Sequence, residues 1–134
     1  MSTEPKVLKF DDIEWVDESA NTETPKELIE EAKKLGAGRK RVAQGEGGFW
    51  CQYSTMPAGY HVPPHSHDQN ELLIVVSGGC EVWPMGADGP SMELGPKDSV
   101  ILAANHKYSF TCGPDGMEFF VMRPGDAAAS FSES

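Results

Sequence analysis

From Arg39 onward the chain breaks into short runs rich in β-branched and aromatic residues, each cut off by glycine or proline: RKRVA, FWCQYSTM, ELLIVV, CEVW, SMEL, SVILA, YSFTC and MEFFVMR. Many short strands at close spacing, with turn residues between them, specify an all-β sandwich or barrel. Hairpin turns are expected at Gln44 to Gly48, Ser77 to Gly79, Gly86 to Pro90 and Gly113 to Gly116. No internal repeat competes with this reading.

What precedes the strands is different in kind. Residues 1–23 read as an arm, with the apolar patch Val7-Leu8-Lys9-Phe10 followed by an acidic stretch interrupted by Ile13, Trp15 and Val16. The segment TPKELIEEAKKLG predicts a helix over 24–36. Thr24 is its N-cap, Pro25 its first helical residue, Glu27 completes a capping box and Gly36 terminates it. Leu28, Ile29, Ala32 and Leu35 form its apolar stripe, while Glu30 and Lys34 can pair on the other face. The chain of 134 residues divides into an arm and helix over 1–38, one β-barrel domain over 39–126 and a small polar tail over 127–134.

Charge and cysteine usage narrow the function classes. Eleven basic residues against 21 acidic ones give a net charge of -10, which repels nucleic acid and anionic membrane surfaces. The one basic run, Arg39-Lys40-Arg41, reads as a solvated strand start or turn. The first residues lack the apolar run of a secretory signal, and no apolar stretch approaches the ~20 residues that cross a bilayer. A cytoplasmic location is expected. Cys51, Cys80 and Cys112, odd in number and without C-x-x-C spacing, read as small apolar residues rather than a disulfide framework. Met56 and Met85 read as gap-fillers of the core.

Three of the four histidines fall in the stretch GYHVPPHSHDQNE. His65 and His67 are two apart, and on a strand that spacing points both side chains to one face. Glu71 follows a short turn at Asp68-Gln69-Asn70, so a hairpin would return its carboxylate beside the two imidazoles. His106 offers a third imidazole just after the run SVILA. Three imidazoles and one carboxylate suit one divalent transition metal per chain. His61, separated from His65 by Pro63 and Pro64, reads as a half-exposed or hydrogen-bonded residue.

Gly59, five residues, His65, one residue, His67, three residues, Glu71, six residues, Gly78 reproduces the first motif of the cupin superfamily without a gap or substitution. The chain therefore resembles a small single-domain cupin over roughly residues 47–123. The second motif is half kept: Gly95 and His106 stand at the family's separation, while Ile101, Ala103 and Phe110 replace its usual proline, glycine and asparagine. The resemblance implies a cupin double-stranded β-helix, that is, a jelly-roll barrel, with metal ligands His65, His67, Glu71 and His106. It also implies a homodimer paired through sheet edges.

Parity sketches the pocket. Glu71 facing inward takes Leu73 and Val75 with it, His106 facing inward takes Tyr108 and Phe110, and the closing strand adds either Phe119 and Val121 or Phe120 and Met122. Gln52, Tyr53, Tyr108 and Phe110 are the expected substrate contacts for a small organic molecule. The expected activity is a non-haem metal dioxygenase acting on a small carbonyl or phenolic compound. Fe(II) is the favoured ion, with Zn, Mn, Ni or Cu as alternatives; Glu71 would be a ligand able to act as base and Tyr108 or Gln52 would orient the substrate. The alternatives are a Lewis-acid isomerase, lyase or decarboxylase, or a non-catalytic ligand-binding or metal-binding cupin.

Overall fold

The computed structural model describes residues 5–17, 26, 27, 30 and 36–124. The tail over 127–134 lies outside them. So does most of the helix expected over 24–36, of which Lys26, Glu27 and Glu30 are described and helical.

Seven strands make up the body: β1 (Gly38–Gln44), β2 (Phe49–Met56), β3 (His61–His65), β4 (Glu71–Trp83), β5 (Met92–Leu94), β6 (Ser99–Leu102) and β7 (Tyr108–Pro124). Every pairing is antiparallel. β1, β2, β7 and β4 follow one another in the sheet; β6 pairs with the first half of β4, β5 with its second half, and β3 with the first half of β7. Two layers therefore share the two long strands, one reading β1-β2-β7-β4-β6 and the other β3-β7-β4-β5. This is the all-β barrel that the strand pattern predicts, in the jelly-roll form that the cupin resemblance implies.

Two of the expected turns are not turns. ELLIVV and CEVW are one strand, β4, and YSFTC and MEFFVMR are one strand, β7. The register between β4 and β7 slips from Val75 to Ser77 and again from Gly78 to Cys80, so both strands bend there without reversing. Gly78 and Gly116 have φ of 71° and 72°. A Cβ on Gly78 would collide with the Gly116 carbonyl oxygen, and one on Gly116 with the carbonyl of Met56. Only glycine permits this approach, and the bend carries each strand from one layer to the other. The glycines that mark a hairpin also mark a bulge; the pairing of the flanking segments decides between them. The turns at Gln44 to Gly48 and Gly86 to Pro90 do connect paired strands.

Inward-facing residues of the long strands fill the barrel. Leu73, Val75 and Val82 are fully buried and are joined by Leu102, Phe110, Met117, Phe119 and Val121. Each such aliphatic side chain stabilises the fold by roughly 1.5–3 kcal/mol. On the closing strand Phe119 and Val121, not Phe120 and Met122, belong to the core. All three cysteines are free thiols. Cys80 and Cys112 are buried cross-strand partners whose thiols burial pushes up to about 11 and about 12, so they pack as apolar residues. Met56 packs against the core, whereas Met85 is exposed and fills no gap.

The arm covers the outer face of the β1-β2-β7 layer. Tyr53 lies there, packed against Phe10 at 4.8 Å, Phe120 at 5.5 Å and Trp15 at 6.1 Å between ring centroids. Its place on β2 is odd where Trp50 and Gln52 are even, and Trp50 faces the core. Tyr53 is thus on the wrong face to contact a substrate in the barrel. Its hydroxyl donates to Glu118, which also accepts from Ser77. Lys40, expected to be solvated, is buried instead: its Nζ sits 4.2 Å from the Phe10 ring centroid and donates to the Phe10 carbonyl at 3.0 Å. The arm's aromatic rings and carbonyl replace water around that cation.

Candidate functional site

Glu71, the first residue of β4, is 3 % exposed and forms the centre of the inner polar cluster. β7 runs beside β4, with Leu72 opposite Met122, and this brings Arg123 next to the carboxylate. Arg123 Nη2 and Nε donate to Glu71 Oε1 at 2.9 Å and 3.2 Å. On its other side Arg123 faces its β2 partner Trp50, with the guanidinium carbon 4.2 Å from the indole centroid. The second carboxylate oxygen, Oε2, accepts from the Tyr108 hydroxyl at 3.0 Å. Burial, and then the neighbouring Glu71 charge, hold the Tyr108 phenol well above its usual value, so it stays protonated and acts as a donor.

The two motif histidines stand beside this cluster. His65 ends β3 directly opposite Tyr108, with ring centroids 4.3 Å apart, and the His67 ring lies 5.1 Å from His65. His65 Nδ1 is 2.9 Å from the Pro63 carbonyl oxygen. A carbonyl only accepts, so Nδ1 donates to it, and the neutral tautomer that this contact selects is the one with its lone pair on Nε2. His67 is buried, and desolvation lowers its pKa to about 4, leaving a neutral imidazole whose Nε2 is 3.9 Å from Glu71 Oε2.

The route by which these residues meet differs from the one expected. β3 ends at His65 and pairs with β7, so His67 is not on its strand and Glu71 does not return through a hairpin. Residues 66–70 instead cross from one layer to the other. His61 is exposed at the start of β3, with Nδ1 2.8 Å from Thr111 Oγ1.

His106 is the residue the structure leaves aside. Its side chain is exposed, because β7 begins only at Tyr108 and the inward parity of Tyr108 and Phe110 does not extend back through the turn, where Asn105 has φ of 64°. The backbone does hold the two loops together: Asn105 N donates to the His67 carbonyl at 2.7 Å, and Ala104 N to Asn70 Oδ1 at 2.9 Å.

For a divalent transition ion the fit is divided. A neutral buried imidazole and a second one whose proton is fixed by a carbonyl are the forms that ligation needs. The pair His65 and His67 fits such an ion. Both Glu71 oxygens, however, are held by protein donors, and among the described residues no three His, Cys, Asp or Glu side chains gather into a metal-binding group. The set of His65, His67, Glu71 and His106 is not assembled in this arrangement.

Of the other expected contacts, Phe110 lies in the core, packed edge-on against Phe119 at 5.8 Å, and Gln52 follows Trp50 on the inward face of β2. Arg123 and Trp50 are the residues that reading the sequence missed. The signal was the alternation Phe119, Val121, Arg123: once the first two face inward, so does the third.

The cupin domain family model matches residues 52–123, more than half of the chain. A search of curated proteins by sequence found no match. Among solved structures, an RmlC-like cupin from Shewanella frigidimarina is 16% identical, with a TM-score of 0.66 over 93% of this chain and 95% of its own. The polyketide cyclase RemF from Streptomyces resistomycificus is 18% identical, with a TM-score of 0.66 over 90% and 80%. The DMSP lyase DddQ from Ruegeria pomeroyi is 19% identical, with a TM-score of 0.69 over 88% of this chain and 59% of its own. The barrel of shared long strands, the intact first motif and the family match over residues 52–123 together show that this chain belongs to the cupin family.

Proposed function

We propose that this cupin is a small-molecule enzyme that moves a proton next to a carbonyl group, with Glu71 as base and Tyr108 as hydrogen-bond donor. The observation that carries the reading is the buried carboxylate shared between the Tyr108 phenol at 3.0 Å and the Arg123 guanidinium at 2.9 Å. Burying such a cluster costs stability, and clusters of this kind concentrate where chemistry needs them. At rest the Tyr108 O–H donates to Glu71 Oε2. Turning that O–H to the substrate oxygen stabilises the negative charge that develops there and frees Oε2 to receive the proton. Arg123 keeps the carboxylate from rotating away. A divalent ion held by His65 and His67 would supply Lewis-acid polarisation of the substrate carbonyl.

Two structural neighbours of this fold are named as a polyketide cyclase and a DMSP lyase, and they support the reading by analogy. The experiment is exchange of substrate α-protons with deuterated water, followed by NMR across a panel of ketones, hydroxyketones, hydroxy acids and 2-oxo acids. Exchange by the parent protein and its loss in Glu71→Gln are expected. A parent protein that exchanges nothing across the panel, with Zn or Mn supplied, would overturn the assignment.

A second reading is the non-haem dioxygenase acting on a carbonyl or phenolic compound, favoured by the neighbouring imidazoles of His65 and His67, a donor type that suits Fe(II). Oxygen uptake by Fe(II)-loaded protein with diketones or catechols distinguishes it from the first.

A further inference from the structure

The Arg123 side chain is 4 % exposed, and its Nη1 makes no hydrogen bond to any described residue. Glu71 occupies only one edge of the guanidinium, that formed by Nε and Nη2. The group has five N–H donors in a planar fork, so a second edge remains, where one N–H of Nη1 lies parallel to the other N–H of Nη2. That edge matches two coplanar oxygens, which a carboxylate offers and a ketone does not. The Trp50 ring, with its centroid 4.2 Å from the guanidinium carbon, confines the fork.

A second group points the same way. Gln52 Oε1 is buried and has no hydrogen-bond partner among the described residues. It lies two positions beyond Trp50 on the same face of β2, opposite Val121, while Trp50 is opposite Arg123. A hydroxyl both donates and accepts, so it satisfies this amide whichever way the amide is turned.

We infer that the Nη1 edge of Arg123 and the Gln52 amide form a recognition site for a hydroxy carboxylic acid, with the carboxylate on Arg123 and the hydroxyl on Gln52. This names the substrate class of the proton-transfer reading and rests on it for the site's being catalytic, but binding alone tests it. Arg123 is then both the positioning residue for Glu71 and the anchor for the ligand. The two roles use different edges of one guanidinium.

The test is calorimetric binding of three matched probes: 2-hydroxybutanoate, its amide, and butanoate. In the parent protein the acid should bind at least ~10-fold more tightly than the amide, the fork supplying the difference, and more tightly than butanoate, the hydroxyl supplying that. Arg123→Lys keeps a cation beside Glu71, and so the fold, but removes the fork; it should lower the ratio of acid to amide affinity several-fold. Gln52→Leu should leave that ratio alone and flatten the preference of the acid over butanoate. Equal binding of acid and amide by the parent protein, or an undiminished ratio in Arg123→Lys, overturns the inference. Proton exchange without acid preference leaves the proton-transfer reading standing and removes this one. Acid preference without proton exchange does the reverse.

Discussion

The two faces of the barrel wall carry the same chemistry in different surroundings. Inside, Tyr108 donates to Glu71 and a cation, Arg123, stacks on Trp50. Outside, Tyr53 donates to Glu118 and a cation, Lys40, stacks on Phe10 and Trp15. The inner carboxylate is buried and bonded to its cation, whereas the outer one is half-buried and, among the described residues, bonded to hydroxyls. The inner cluster is therefore a site maintained against a desolvation cost, and the outer one holds the arm to the sheet at little cost.

Removing the cations tests this first. Arg123→Met leaves Glu71 buried without its partner and should lower stability by ~3–5 kcal/mol in urea unfolding, whereas Lys40→Met should lose about 1 kcal/mol. Adding Glu71→Leu to Arg123→Met should recover most of the loss, because a buried apolar pair replaces a stranded charge. Equal costs for the two single variants would erase the distinction between the faces.

The tyrosines come next. Tyr108→Phe should slow substrate proton exchange by on the order of 100-fold, about 2.7 kcal/mol in the barrier, while Tyr53→Phe should leave that rate unchanged. A matching loss in Tyr53→Phe would place the outer face in the chemistry.

Acid titration separates the faces by pH window. His67 folds with its pKa lowered from 6.5 to about 4, so the unfolded chain binds more protons between those values. Its contribution is present above pH 6.5 and is lost as pH falls towards 4, a change of ~2 kcal/mol in chelator-treated protein. Glu118, lowered from 4.5 by its bonds to Ser77 and Tyr53, contributes above that value and loses its contribution only below it. Urea midpoints measured from pH 7 to 3 should fall in two stages, and His67→Phe should flatten the upper one. A parent protein with no loss between pH 6.5 and 5 would contradict the burial of a neutral His67.

The smallest effect belongs to the outer hydroxyl. Tyr53→Phe should cost about 1 kcal/mol, read as a small shift of the urea midpoint with an unchanged slope.

The interior was legible where one periodicity ran unbroken. Glu71, Leu73 and Val75 sit where alternation puts them, as do Tyr108 and Phe110, because strand backbone points every second side chain the same way. Parity failed wherever the chain left the strand. His106 lies before the start of β7 and is exposed, His67 reaches the site from a loop, and the glycines at 78 and 116 bend strands instead of ending them.

The sequence alone determined that the chain would be an all-β barrel of the cupin family with His65, His67 and Glu71 near one another, since strand periodicity and motif spacing are local properties. Only the tertiary structure decided that Arg123 and Trp50 complete the site, that Tyr53 belongs to the outer face and that Lys40 is buried. Those outcomes depend on which strands pair and in what register. Register is fixed by contacts between residues far apart in the chain, such as Glu71 and Arg123, and no local pattern encodes them.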